Sequence, residues 1–474
     1  MNKKIIGVVW LREDFRTIKN DALIYASKNH EHICVIYIYK KKNFQDRSAQ
    51  RWWLFQSLQN FKDKLDKFNI TLEVIESDSY KEAFEKILKK ENFSIYWNKI
   101  YEPQFLLFDK KISNSLKLKN IDFRIFKGNL LNEADEIKKS DNTPFKVFTP
   151  FWKTAEKFYL DKGFHRREKI QLKNKKIKFL NQSMKLENIL PEKKWPKKFE
   201  NLWKPSEDEA IKNIKKFIKD ELDDYGENRD IPGIRGTSRI SPYLAFGHIH
   251  VETIWEECQA IQNKSKGYRK YINELGWREF SHSLINYFPE MLKGNLRKDF
   301  DKFPWQENTK HLNVWKKGMT GYPIVDAGMR ELYETGWMHN RVRMITASFL
   351  VKHLRIHWKE GEKHFRNCLL DFNEANNIAG WQWVAGCGAD AAPYFRIFNP
   401  ILQGEKFDPS GEYVKKWVPE LSNVPKKFIH KPWELDEDIK DFEIGKNYPK
   451  PIVNHGVARN AALAAFQKIK KISI

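Results

Sequence analysis

IIGVVW (residues 5–10) and ICVIYIY (residues 33–39) decide how the first part of this 474-residue chain is read. Both are unbroken apolar runs, the form taken by strands buried on both faces of a parallel sheet. TLEVIE, SIYWNKI and DFRIFKG follow from residues 71, 94 and 122, with helical patterns between, as at 48–68 and 80–90. This alternation predicts an α/β domain with a doubly wound parallel sheet over residues 1–130. No G-x-G-x-x-G follows the first strand, so any flavin or nicotinamide must bind elsewhere or otherwise.

Residues 131–200 lose that rhythm. HRREKIQLKNKKIKF (165–179) and PEKKWPKKFE (191–200) are basic and polar, and predict an interdomain connector draped over the surface. From residue 206 onward amphipathic windows recur and strand-like alternation is scarce. A larger all-helical domain is therefore expected over 201–474.

Lys and Arg outnumber Asp and Glu by 85 to 62, a formal net charge of +23. Such a chain attracts polyanions, nucleic acid first among them. Compositional bias is the competing explanation, because Lys, Asn and Ile are all abundant. No run of 18 apolar residues offers a membrane span, and MNKKIIGVVWLRED lacks the form of a signal peptide, so a cytoplasmic location is expected. Cys34, Cys258, Cys368 and Cys387 make no C-x-x-C pair, and no H-E-x-x-H occurs. Reduced thiols and no metal are expected.

The densest information lies between Tyr225 and Asn399, which hold eight of the 17 tryptophans among polar motifs. In GTSRISP, Ser241 suits an N-cap and Pro242 the first helical position, with Thr237, Ser238 and Arg239 just before them. That is either a phosphate-binding helix start or a plain capped helix. In GWMHNRVRM, Trp337, Asn340, Arg341 and Met344 fall at i, i+3, i+4 and i+7, on one helical face. An amide and a guanidinium beside Trp and Met suit a base edge or phosphate, or else form a structural polar network. Glu274, Trp277 and Arg278 share another face. Trp277 offers a stacking surface for an extruded base, while Glu274 and Arg278 can equally be an ordinary i,i+4 pair. In DFNEANNIAGWQW, adjacent Asn376 and Asn377 are poor helix formers, and their presence hints at hydrogen bonding to a flat polar ring. Asp371 can pair with Arg343 to fix that place.

With these motifs in hand, the chain resembles the DNA photolyase/cryptochrome family, and most nearly its class I cyclobutane pyrimidine dimer photolyases. The resemblance runs from VVWLREDFR through TSRISPYL, GYPIVDAGMR, GWMHNRVRM, ANN-x-x-GWQW and FRIFNP-x-x-QGEKFD. It implies an α/β antenna domain and a helical domain holding FAD. Tyr225, Thr237, Ser238, Arg239, Ile240, Ser241, Tyr271, Trp337, Arg343, Asp371, Phe372 and Asn373 would hold the FAD, with Asn377 near the flavin N5. Arg229, Glu274, Trp277, Arg278, Asn340, Arg341, Met344, Trp383 and Gln403 would face UV-damaged DNA or the flipped dimer. Trp381, Trp358 and Trp305 would relay electrons between flavin and surface. The implied reaction is light-driven: FADH⁻ gives an electron to the dimer, the cyclobutane ring opens, and the electron returns. Glu274 would stabilise the dimer that carries the electron. A second antenna chromophore, methenyltetrahydrofolate or a deazaflavin, and a monomeric state are further family expectations. Asn373 stands where many relatives carry Asp, and Tyr271 where many carry Trp.

Two relatives compete. A (6-4) photolyase carries histidines where Asn340 and Met344 stand here, which argues for cyclobutane dimers. A cryptochrome-type blue-light receptor would signal rather than repair. Asn377, Glu274 and Met344, and the lack of a long extension after the helical domain, favour repair. A purely structural DNA-binding protein would leave the tryptophan relay unexplained.

Overall fold

Five strands, β1 (Ile6–Leu11), β2 (His32–Tyr39), β3 (Thr71–Glu76), β4 (Phe93–Asn98) and β5 (Phe123–Phe126), form one parallel sheet in the order β3-β2-β1-β4-β5. The coordinates are a computed structural model that describes all residues except 1–4, 46, 164–167, 172–173, 193, 263, 392–394, 436–437, 441 and 473–474. β4 is buried along its whole length, and β1 and β2 nearly so, which is why they read as continuous apolar runs. Alternate residues serve opposite faces. Val9, Leu11, Val35 and Tyr37 enter one core, and Val8, Trp10, Ile36 and Ile38 another. The doubly wound α/β expectation is met.

The stretch expected to be a surface connector is in part an integral helix. Phe148–Lys162 buries Phe148, Phe151, Trp152, Ala155 and Tyr159 against the long helix Lys266–Tyr287. Gly276 on that long helix has no room for a Cβ, because the Trp152 ring occupies the space. Further along, Phe179 and Leu180 donate backbone N–H bonds to Glu73 on β3, at 3.1 and 2.8 Å. Residues 165–167 and 172–173 of the basic segment lie outside the described residues; Ile170 and Phe179 nearby are buried.

From Glu207 onward the regular elements are helical. Two ion-paired lysines tie the helical part to the sheet domain. Lys19 and Lys127 both reach Glu252 at 3.1 Å, and Lys19 also reaches Glu256 at 2.7 Å. Burial alone would raise the Glu252 carboxyl, but His250, Lys127 and Lys19 bring it down to about 2. Among the described residues, no helix is long and apolar enough to cross a membrane.

Candidate active site

Asp371 anchors the site. Its carboxylate is buried, and one oxygen accepts from Arg343 at 2.7 Å and from the Ser241 hydroxyl at 2.7 Å. The Trp337 indole N–H donates to the same hydroxyl at 3.3 Å. Ser241 is thus the first residue of the short helix Ser241–Ala245 and not its cap; Ile240 takes the cap position. Its hydroxyl serves Asp371 instead, which corrects the N-cap expectation. The expected Arg343–Asp371 pair is formed. Arg239, at a left-handed φ of 49°, lays its guanidinium over the Trp337 ring at 4.8 Å.

Trp337 does not share a helix with Asn340, Arg341 and Met344, contrary to the spacing argument. Gly336, at a left-handed φ of 68°, ends the preceding helix Pro323–Thr335. His339 then caps Asn340–Ser348 by accepting from the Arg341 N–H. Trp337 lies in the intervening turn and points to Ser241.

The helix Glu374–Ala385 supplies the next wall. Asn373 is its N-cap, accepting from Asn376 N–H at 3.1 Å, which explains why Asn serves at this position. Asn377 and Trp381, four residues apart, border one cavity of about 200 Å³. Asn340, Arg343, Met344, Asp371, Phe372 and Asn373 line it as well. The Asn377 amide donates to Glu362 at 3.0 Å, a partner that nothing in the sequence pattern singled out. Gly361 lets the Trp381 ring approach the helix Trp358–Cys368, since a Cβ there would strike that ring.

Several buried polar atoms around this place find no protein partner among the described residues: Asp371 Oδ1, Arg239 Nε and Trp381 Nε1. Buried polar groups are rarely left so. A flat ring edged with nitrogen and oxygen would satisfy them, and Phe365, Leu369 and Trp381 supply apolar wall for its faces. The residues present therefore fit an isoalloxazine. Tyr225 and Tyr271 stand nearby in an edge-on pair at 5.3 Å, with the Tyr271 hydroxyl toward Ser238. Thr237 and Ser238 are half-buried beside them.

On the outer side, Glu274 pairs with Arg229 and not with Arg278. Arg341 pairs with Asp230 at 2.9 Å and lies over Phe407 at 4.5 Å. Trp277 is half-buried, and one of its faces is taken by Phe148, stacked at 3.9 Å and 7°. Only its other face is left for stacking, a restriction that residues 129 positions apart in sequence gave no sign of. Arg278 is a correction. It turns inward to Glu279 at 3.5 Å and into a cleft with Glu13, Glu102 and His282, away from Glu274. Trp383 is half-buried, with its indole N–H on the Asp390 carbonyl at 3.0 Å. Gln403 is half-buried on the helix Pro400–Phe407.

The three tryptophans expected to form a relay differ in burial. Trp381 and Trp358 are buried, and Trp305 is half-buried. Trp358 starts the helix whose Gly361 meets Trp381, and the His357 ring lies 5.6 Å from Trp358 and 4.9 Å from Trp305.

A second cleft of about 370 Å³ opens at the carboxyl ends of β1 and β2 and beside β4. That is where doubly wound sheets bind ligands. Trp10, Tyr37, Tyr80, Arg12, Arg47 and Glu102 are among its walls. Burial raises the Glu102 and Glu13 carboxyls here, against the pull of Arg47. Phe372, held between Arg47 and Arg366, lines both this cleft and the first cavity.

Comparison with known proteins agrees with this geometry. Residues 7–180 match the family described as DNA photolyase, and residues 271–468 match the FAD binding domain of DNA photolyase. The deoxyribodipyrimidine photo-lyase of Agrobacterium fabrum is 41% identical over 98% of either chain. A bacterial class III photolyase structure from Agrobacterium tumefaciens superposes with a TM-score of 0.93 at 40% identity, covering 99% of each chain. An archaeal photolyase from Sulfolobus tokodaii, solved with two FAD molecules, gives 0.82 at 28% identity, covering 98% of this chain and 100% of that one. The chain belongs to the DNA photolyase/cryptochrome family, and its helical part is an FAD-binding domain of the photolyase kind.

Proposed function

We propose that this protein repairs cyclobutane pyrimidine dimers in UV-damaged DNA, using light and a reduced flavin. The observation that carries the reading is a shared cavity. Asn377, Trp381 and Asp371, which suit a flavin ring, border the same space as Asn340 and Met344, which suit a flipped base. The chemistry supplied by bound, reduced FAD is the light-driven electron that opens the cyclobutane ring and is then recovered.

The chain's own residues do the rest. Arg343 and Asp371, with Ser241 bonded to Asp371, form a polar wall of the cavity that would hold the flavin, and Asn377 is aimed by Glu362. Trp277, backed by Phe148, gives the extruded dimer a rigid face. Glu274, one-third exposed, places a carboxylate where it can accept a hydrogen bond from a ring N–H of the dimer and hold the lesion in position. Asn340 and Met344 supply hydrogen bonds and apolar contact. Trp305, Trp358 and Trp381 keep the cofactor reducible from the surface. Arg278 serves the interior cleft.

A second, light-harvesting chromophore is assigned to the cleft at the carboxyl ends of β1 and β2. Residues 1–130 then act as the antenna domain, 131–200 as connector and 201–474 as the flavin and lesion domain. The Agrobacterium structure is a class III photolyase, while the motifs here resemble class I; the lesion chemistry argued above is independent of that division.

Dimer-containing oligothymidylate mixed with reduced, flavin-loaded protein should regain its absorbance at 260 nm under blue light and stay unchanged in the dark. Failure to regain it, with photoreduction of the flavin intact, would favour a receptor of cryptochrome type.

A further inference from the structure

Among the described residues, four charged side chains run in a row along the outer side of the ring cavity: Glu274, Arg229, Asp230 and Arg341. Glu274 holds Arg229, whose Nε lies 3.8 Å from the Asp230 carboxylate. The same Asp230 oxygen is ion-paired with the Arg341 guanidinium at 2.9 Å. Each arginine also lies over an aromatic ring, Arg229 on Tyr225 at 5.3 Å and Arg341 on Phe407 at 4.5 Å. Asp230 thus joins the end of the short helix Tyr225–Asn228 to the start of Asn340–Ser348.

An acid at this place is unusual for a surface that meets DNA in a chain of net charge +23. It is one-third exposed, so it also presents its own charge to an approaching phosphate. Resting on the repair reading above, we propose that Asp230 sets the preference for damaged over intact DNA. It engages Arg229 and Arg341, the latter next in sequence to the cavity residue Asn340, and so withholds them from the phosphates of an intact duplex. Intact DNA binds almost wholly through such phosphate contacts. A flipped dimer gains stacking on Trp277 and hydrogen bonds to Glu274 and Asn340 on top of whatever phosphate contacts the duplex makes. The penalty therefore falls mainly on the wrong ligand, which is how a repulsive group creates specificity.

A purely structural role is the alternative, in which Asp230 only holds Arg341 in place. Asp230→Asn separates the two, because an amide keeps the size and polarity of the side chain beside Arg341 while the charge is gone. Binding of the flavin-loaded full chain is measured in the dark, by fluorescence anisotropy, on one duplex with and without a thymine dimer, over a series of salt concentrations. The variant should bind the intact duplex roughly fivefold tighter, the worth of one exposed charge pair. Its salt dependence should steepen by about 0.9 per newly engaged phosphate. Affinity for the dimer duplex should change less, so that the preference falls several-fold. Adding Arg341→Gln should abolish the gain on intact DNA. Unchanged affinity and salt slope on intact DNA, or equal weakening on both duplexes, overturns the proposal. A wild-type protein without preference for the dimer duplex overturns the repair reading together with it. A wild-type preference retained in full by the variant overturns only the role of Asp230.

Discussion

Arg343 and Ser241 both donate to one oxygen of Asp371, each at 2.7 Å, while the other oxygen of that buried carboxylate has no partner among the described residues. One half of the carboxyl is spent on the fold and the other is left for a ligand. Arg343→Leu should strand this charge, at a cost of about 3–5 kcal/mol as for other broken buried pairs. The purified variant should carry far less flavin per protein, read from the ratio of visible to ultraviolet absorbance. A variant with full flavin content would remove Asp371 and Arg343 from the binding wall.

Glu274 is paired with Arg229 before any DNA arrives, so its role is tested best by a change that keeps its shape. Glu274→Gln retains the size and hydrogen bonding of the side chain but not its charge. Ring opening should slow about tenfold, the loss of one charge-assisted hydrogen bond. Dark binding to dimer DNA should stay within a few-fold. Repair kinetics after a light pulse check this, and an unchanged ring-opening rate would end the proposed role.

The tryptophans divide labour between supply and repair. Trp358 is buried between the Trp381 contact and the half-buried Trp305, with its indole N–H on Asn295 at 2.8 Å. Trp358→Phe keeps the packing of the ring but not that bond. Photoreduction of the oxidised flavin should slow strongly, while protein reduced beforehand with dithionite repairs at the wild-type rate. A repair defect in the pre-reduced variant would show that the ring acts in the lesion chemistry itself.

Acid should loosen the junction between the sheet domain and the helical part. The Glu252 carboxyl is held at about 2, below its ordinary 4.5, so its stabilising contribution is present above about 4.5 and fades as pH falls toward 2. His250 is kept neutral by burial near pH 7, which leaves Lys19 and Lys127 as the cations that matter there. Thermal midpoints of wild type and Glu252→Gln should differ steadily from pH 7 down to 5 and converge below pH 4. A difference that does not depend on pH would contradict this role for Glu252.

The sheet was legible because its strands are buried on both faces, which writes an unbroken apolar run into the sequence. The Arg343–Asp371 pair was also legible, since a buried charge needs a partner. Other features were not. Phe148, Phe151, Trp152, Ala155 and Tyr159 do carry a helical period, but Pro150 and the lysine-rich surroundings masked it. Trp337 was placed on a helix that begins only at Asn340, because the left-handed turn at Gly336 and the His339 cap break the register. Glu274 and Arg278 share a spacing but face different neighbours, and only packing decides that Glu274 takes the distant Arg229 while Arg278 turns to adjacent Glu279. Asp230 and Glu362 gave no signal at all. A carboxylate in a polar motif looks like any solvated acid until its partners, far away in sequence, are seen beside it.

The most direct measurement is the fate of a cyclobutane thymine dimer in a defined oligonucleotide, followed by chromatography, with reduced holoprotein in blue light and in the dark. Conversion to two intact thymines in the light alone, and its loss when the cavity is filled by Met344→Trp, is the expected result. Absence of conversion in a protein that holds reduced flavin and binds the lesion would contradict the claim that ring and dimer share one cavity.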